Sequence, residues 1–453
     1  MVTVREPARD IPVIGEFDIV VVGGSCTGVF AAVRAARLGA KVAIIEQAGA
    51  FGGTATNGFV CIWHSLTDTT YKKKIIGGLT EEMLTRLGNI PNGLRIRTPA
   101  ENAPWRAPYY SVYILNTEET KIELDKMIIE SGVTPFLHTR YSAPYIEDGE
   151  LRAVIIENRS GRTAIMAKYF IDASADGFLG ADMGMEIYYH EHLQPSTTGA
   201  KIWGFDKLKK PNKLLRSEKM QKRIGARAGW DIFVPGTDDV SNWCKPQLIG
   251  DLSDANALTK AEICGRAQIR EMMNILREND PHGNELSLVA LGSMIGIRET
   301  RQLKCSYTLT ADDILYGREF EDAIGYCAYP VDIHIDHMPT TFRYLDGTEQ
   351  YANSSGNVEW GRWRNDEGPF PTYWQIPYRC MLPESIGNLL ICGRAIDAEK
   401  SAYGAVRVMI SLNQTGEAAG VACFEALTSG KRVQDIDISS LRKRMAQGGS
   451  VVL

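Results

Sequence analysis

Residues 18–58 read DIVVVGGSCTGVFAAVRAARLGAKVAIIEQAGAFGGTATNG. Asp18 to Val22 is a short apolar run rich in β-branched residues, which predicts a strand. Gly23, Gly24 and Gly28 punctuate the turn after it, Val29 to Leu38 is alanine-rich and helical in pattern, and Gly39 stands where a helix ends on glycine. Lys41 to Ile45 predicts a second strand, closed by Glu46 and Gln47. A strand-to-helix turn of this kind presents unpaired backbone N–H groups and the positive end of the helix dipole to an anion. Glycines let the backbone approach phosphates, and an acid about 20 residues further on accepts hydrogen bonds from ribose hydroxyls. Glu46 stands in that place. The pattern G-x-G-x-x-G falls on Gly23, Ser25 and Gly28, so serine replaces the middle glycine, and its hydroxyl can donate to a phosphate. The whole arrangement predicts a dinucleotide site formed by Gly23, Gly24, Ser25, Cys26, Thr27 and Gly28, with Glu46 and Gln47 at the ribose end. An ordinary strand–helix turn would leave the clustered glycines unexplained.

At 453 residues the chain can form two to three domains. A hydrophobic content of 44% and a charged content of 23% are those of a soluble globular protein, and a net charge of −5 argues against generic nucleic-acid binding. Nine cysteines without a C-x-x-C pair suggest neither a disulfide framework nor a zinc site, and suit a reducing, cytoplasmic setting. The start, MVTVREPARDIPVIGEF, lacks the apolar core of a signal peptide, and no apolar run reaches the roughly 18 residues of a membrane span.

Beyond Glu46, Gly52, Gly53, Thr54, Thr56, Asn57 and Gly58 form a second turn rich in backbone and hydroxyl groups, suited to a further contact with a large polar cofactor. Here the sequence resembles the FAD-dependent oxidoreductases of the glutathione-reductase-like superfamily, in which a GG-T/S segment runs beneath the flavin. His64 follows, and reads either as a base or flavin anchor near the ring or as a structural histidine; Cys61 reads as packing. Helices are expected from Thr80 onward and over Asn116 to Ser131, on either side of a proline-rich loop. Residues 133–173 then read as a run of strands turning at Asp148-Gly149 and Ser160-Gly161. The resemblance makes this run the β-meander of the family. It implies adenine recognition near Tyr141 and a cofactor contact at Ala173 to Asp176, where ASADG only partly matches the family's A-T-G-like segment.

Between about Tyr188 and Tyr378 the glycine fingerprints vanish and six tryptophans appear, which suggests a substrate-binding domain. Two stretches there carry chemistry. In GIRETR, Arg298 could hold a carboxylate or polarise a carbonyl, or serve only as a structural partner of Glu299; Ser306 to Thr310 looks like a strand after it. In YCAYPVDIHIDH, a strand would place Asp332, His334 and Asp336 on one face and His337 on the other. A carboxylate beside an imidazole makes it a better base. A metal site and a purely structural role are the other readings, and no third conventional metal ligand is obvious.

Near the C-terminus, Asn388 to Cys392 predicts a strand ending at Gly393, and Ala405 to Leu427 predicts one long helix or two short ones. Gly416, Ala419, Gly420 and Cys423 would let that helix approach the sheet or the cofactor closely. The order VVVGGSCTGVFAA, FGGTATNG, IRETR, DIH, IPYRCMLP, NLLICGRAI and TGEAAGVA resembles the bacterial FAD-dependent oxidoreductases, distantly related to fumarate-reductase and thioredoxin-reductase-like flavoproteins. That resemblance implies FAD, a flavin-side role for Gly393, Arg394, Thr415 and Gly416, and a late helix whose N-terminus steadies the reduced ring. Arg394 stands where the family usually has an acid.

The fold class expected is α/β: a Rossmann-like FAD domain with a parallel sheet and β-meander from residues 1–187 and 381–453, and an α+β substrate domain inserted at 188–380. The function expected is two-electron oxidation of a small polar metabolite such as a sugar, polyol or hydroxy acid, with His334 as base and Tyr378, Arg379, Tyr403, Arg298 and His64 orienting it. An NAD(P)H-dependent flavin reductase or monooxygenase is the alternative enzyme, although no second nucleotide fingerprint is present; a non-redox FAD-binding protein is the alternative outside catalysis. The electron acceptor and any homo-oligomeric state are not written in the sequence.

Overall fold

The computed structural model describes residues 2–97, 111–335, 338–365 and 368–453, so Asp336, His337 and most of the proline-rich loop lie outside the described residues. Strand β1 (Val13–Val22) begins five residues before the predicted run and buries Ile19, Val20 and Val21 completely. Ser25 caps α1 (Cys26–Arg37), accepting a hydrogen bond from the Gly28 amide at 3.4 Å, and Gly39 leaves the helix with φ +107° before β2 (Val42–Ile45). Helix α2 (Gly78–Gly88) opens two residues earlier than Thr80, which is itself fully buried. Helix α3 (Thr117–Glu130) is capped by Asn116. Then come β3 (Thr134–Phe136), β4 (Arg140–Glu147), β5 (Glu150–Asn158) and β6 (Gly161–Asp172).

The order across this sheet is β3-β2-β1-β6-β5-β4. Pairing is parallel from β3 to β6 and antiparallel through the meander β6-β5-β4. β6 runs parallel to β1 along its length, and its ends have different partners on the other side. Thus the meander leaves the doubly wound sheet and returns to it along one continuous strand. The result is the α/β architecture of a dinucleotide-binding domain.

The middle of the chain builds a second layer. Antiparallel β7 (Ser196–Trp203), β8 (Trp230–Phe233), β9 (Val240–Leu248) and β10 (Ser287–Leu291) form a sheet in the order β8-β9-β7-β10. Helix α4 (Ala255–Asn279) covers it, and Ile202, Trp243, Ile269, Met272 and Met273 share their own core. Ser306 to Thr310 is not a strand; its one sheet-like contact is a bridge from Leu309 to Ala398, and Thr310 caps the short helix Ala311–Leu315. Strand β11 (Ala323–Cys327) is followed by β12 (Val331–Ile333), which stops one residue before His334. β13 (Thr340–Arg343), β14 (Thr348–Ala352) and β15 (Val358–Arg362) continue from β12 as a meander, and β16 (Trp374–Pro377) pairs back onto β11. Tyr326, Val331, Trp374 and Ile376 belong to the same core as α1, so residues 188–380 feed two cores.

The chain then returns to the first sheet as β17 (Leu389–Ile391), parallel to the end of β6. The late helical pattern is two helices: α5 (Lys400–Val406) and α6 (Met409–Ser429), separated at Arg407 and Val408. The small residues of α6 face α1. A Cβ on Gly416 would lie 2.1 Å from the Thr27 carbonyl oxygen, and one on Gly420 2.3 Å from that of Ala31. Only glycine allows this helix spacing. Among the described residues no helix is long and apolar enough to cross a membrane. None of the nine cysteines is in a disulfide, and eight of them are buried.

Candidate active site

Two glycine turns and two strand ends meet at the start of α1. Gly23 has φ +106°, and a Cβ there would lie 2.4 Å from the Ala173 carbonyl oxygen; one on Gly28 would lie 1.9 Å from that of Gly23. The Gly24 amide donates to Glu46 Oε2 at 2.7 Å and the Ala48 amide to Oε1 at 2.7 Å, so the acid holds the first turn shut. The Gly52 amide donates to the Gly24 carbonyl at 2.8 Å, joining the second turn to the first. Gly52 and Gly53 both have positive φ, while Thr56 and Asn57 fasten that turn to the carbonyls of Phe51 and Ala50 at 2.6 and 3.0 Å. Gly393 (φ +75°) follows β17, and its amide donates to Thr415 Oγ1 at 3.1 Å. Arg394 pairs with Asp176 at 2.6 Å and donates to Thr300 at 2.9 Å.

From this cradle a cavity of about 500 Å³ extends past Ser25, Thr27, Gly52 and Thr54 to the first turn of α6, at Met409, Leu412 and Asn413. Asn413 is fully buried, and neither polar atom of its carboxamide has a hydrogen-bond partner among the described residues. Such an orphaned group costs about 1–3 kcal/mol unless a ligand completes it.

The far wall carries the polar and charged groups His64, Arg298, Asp332, His334, Arg407 and Tyr329. Asp332 is the hub. Its Oδ1 lies 2.9 Å from His334 Nε2, and its Oδ2 accepts from Arg407 Nη2 at 3.0 Å and from the Tyr329 hydroxyl at 3.0 Å. Burial would raise the Asp332 carboxyl, but His334, Arg407 and Arg298 together outweigh it and hold the group below the usual carboxylate range. Burial pushes His334 down despite the pull of Asp332, so the imidazole is neutral near pH 7. His334 Nε2 faces the Asp332 carboxylate while Nδ1 lies 3.2 Å from Thr340 Oγ1, so a ring proton on Nε2 would leave Nδ1 as the basic nitrogen. His64 stacks on Tyr329 with ring centroids 4.4 Å apart, and burial brings it down to about 4.

The structure thus brings His64, Arg298 and His334 to one cavity. Tyr378 is a correction: it is buried elsewhere, its hydroxyl donating to the Val433 carbonyl at 2.9 Å, because the turn after β16 aims it into the core. Arg379 is likewise turned away, paired with Asp322 at 2.9 Å. Tyr403 sits behind the wall and donates to the carbonyls of Arg298 and Arg394 at 3.2 and 3.1 Å. Gly416 touches α1 and does not line the cavity. Nor do Glu46, exposed Gln47, Asn57 or Tyr141, whose hydroxyl donates to Asp182 at 2.9 Å. Sequence reading did not single out Arg407, Tyr329 or Asn413.

A family model described as FAD dependent oxidoreductase matches residues 18–445. The chain belongs to this family. FAD is therefore its cofactor, and the residues present fit it: turns packed so closely that only glycine serves at Gly23 and Gly28, a cavity running past the N-terminus of α1 at Ser25 to Thr27, and the uncompleted amide of Asn413. As a member, the FAD-dependent oxidoreductase is 49% identical over 49 residues to the dihydrolipoyl dehydrogenase of Trypanosoma brucei brucei, a match covering 11% of this chain and 10% of that enzyme. The chain thus spans about a tenth of the length of the curated relative it matches. Among solved structures it is similar to a geranylgeranyl bacteriochlorophyll reductase-like protein from Thermoplasma acidophilum, at 14% identity and TM-score 0.46, covering 96% of this chain and 83% of that one. It is also similar to the p-nitrophenol 4-monooxygenase of Pseudomonas putida, at 10% identity and TM-score 0.47, covering 95% and 85%. Among the described residues of this oxidoreductase, no three His, Cys, Asp or Glu side chains gather as a metal site.

Proposed function

We propose that this FAD-dependent oxidoreductase is of the glutathione-reductase-like type and oxidises a small polar metabolite bearing a hydroxyl group by two electrons. The observation that carries the reading is the Asp332–His334 pair, 2.9 Å apart, in the same cavity as the glycine cradle. Gly23 to Gly28 and Gly52 to Thr54 hold the phosphates and the inner face of the cofactor, with Glu46, Gln47, Asn57, Tyr141, Ala173 and Asp176 toward its nucleotide half. Gly393, Arg394 and Thr415 fix the opposite side, and Gly416 acts by holding α6 against α1. When bound, FAD supplies the two-electron acceptor. His334 Nδ1 takes the hydroxyl proton of the substrate, Asp332 stabilises the imidazolium that results, and Arg407 keeps Asp332 ionised. Tyr329 and His64 close the far wall against water.

Residues 188–380 supply most of the substrate side of the cavity, joined there by His64 and Arg407, and 1–187 with 381–453 supply the cofactor side. Nine unpaired cysteines support a reducing, cytoplasmic setting. The test is anaerobic screening of sugars, polyols and hydroxy acids for loss of flavin absorbance, followed by admission of oxygen. Bleaching that His334→Gln abolishes supports the reading. Bleaching by NADH or NADPH and by none of the hydroxyl compounds would overturn it in favour of a nicotinamide-driven enzyme.

A further inference from the structure

Three arginines line the cavity: Arg298, Arg394 and Arg407. Arg394 has Asp176 and Arg407 has Asp332. Arg298 has no carboxylate partner among the described residues; its Nη1 donates only to the Pro195 carbonyl. Burial pushes its guanidinium down to about 10, and repulsion from Arg407 adds to this. The nearest opposing charge, Asp332, is already shared with Arg407 and His334, so part of the cost of burying this cation is recovered when an anion arrives.

The segment around it is held firmly. The Arg298 carbonyl accepts from Tyr403 at 3.2 Å. Glu299 points the other way, accepting from the Gln194 amide at 2.7 Å and from Lys400 at 2.8 Å. Thr300 donates to Asp176 at 2.6 Å. Arg298 lines the cavity while its neighbours anchor the backbone. The Glu299 partner that a structural role would require is engaged elsewhere. Arg298 also stands close enough to His334 for its charge to weaken the imidazole's hold on a proton.

We propose that Arg298 is the carboxylate-binding residue of the substrate site, and that the substrate is a small hydroxy acid whose carboxylate rests on Arg298 while its hydroxyl faces His334. This rests on the hydroxyl-oxidation reading above and narrows it. A planar guanidinium takes a carboxylate through two parallel hydrogen bonds, which an uncharged sugar or polyol cannot match. A cavity of about 500 Å³ that also receives part of the cofactor favours a compact acid.

The experiment titrates oxidised holoenzyme with oxalate and malonate, and with the neutral oxamide and malonamide, following the flavin absorbance. The diacids should shift the spectrum saturably and the diamides should not. Arg298→Met should weaken diacid binding by about 100-fold or more, and Arg298→Lys, which keeps the charge without the fork, by about 10-fold, with FAD content and melting temperature retained. Equal binding of diacids and diamides, absence of binding by both, or unchanged diacid affinity in the Arg298 variants would overturn it. His334→Gln separates the two claims. It should lose flavin reduction by hydroxy compounds while still binding the diacids. Diacid binding without any reduction would defeat the base assignment alone, and reduction by neutral polyols without diacid binding would defeat the Arg298 assignment alone.

Discussion

Asp332 Oδ1 and His334 Nε2 are 2.9 Å apart although β12 ends between them at Ile333, so the carboxylate sits on the last strand position of one face and the imidazole folds back onto it. Replacing His334 by Gln should lower the rate of flavin reduction by substrate about 10²- to 10⁴-fold, with FAD still bound, as measured by anaerobic stopped flow.

The same pair sets a pH dependence. His334 is held below its ordinary value of 6.5 by burial, and only its neutral form accepts a proton. The rate constant for reduction should therefore rise with pH, pass half-maximum below 6.5, and be flat at neutrality. An acid limb centred at or above 6.5 in kcat/KM would assign the base elsewhere.

His64 bears on stability in acid. In the folded protein it resists protonation until about pH 4, whereas the unfolded chain takes up that proton near 6.5. The unfolded state thus binds more protons between these values, so the stability is fully present above 6.5 and is lost as pH falls toward 4. The linkage amounts to about 3 kcal/mol over the window. Urea unfolding of His64→Gln at pH 7 and at pH 4.5 should show a smaller loss between the two than the wild type shows.

The glycine cradle predicts two different failures. Gly28→Ala puts a methyl 1.9 Å from the Gly23 carbonyl oxygen, which must reshape the phosphate turn. The purified variant should be colourless while keeping its helix content by circular dichroism. Gly416→Ala drives a methyl to within 2.1 Å of the Thr27 carbonyl oxygen, a backbone group that can yield only if α1 and α6 separate. Here the melting temperature of the apoprotein should fall as well.

Asn413→Leu should act in opposite directions on the two forms. Removing an orphaned amide from the apoprotein relieves its desolvation, so the apo melting temperature should rise. The holoprotein loses a partner for the cofactor, so the dissociation constant for FAD should increase about 10-fold. Flavin fluorescence on titration reads the second and calorimetry the first.

The dinucleotide half of the fold was legible because its signals are local: β1, the turn, α1, β2 and Glu46 lie within 34 residues and each reports its own backbone. The meander and its two turns were legible for the same reason. What escaped depends on direction in space. Tyr378 follows β16 directly, yet whether it faces the cavity or the core is decided by a turn that no periodicity encodes. Gly416 was readable as a close-approach residue, but not that α1, rather than the cofactor, is what approaches. Arg407 and Asp332 are separated by 75 positions, and nothing in either neighbourhood announces the other.

The interruption between α5 and α6 occupies only Arg407 and Val408. Arg407 reaches the Asp332 carboxylate, while Val408 caps the helix whose first turn lines the cavity. On the proposed reading, the electron and proton chemistry of this enzyme hang from one joint of backbone. Shifting the register of that joint by a single residue would detune both halves together, so an insertion or deletion there should silence the enzyme more thoroughly than the loss of any one side chain.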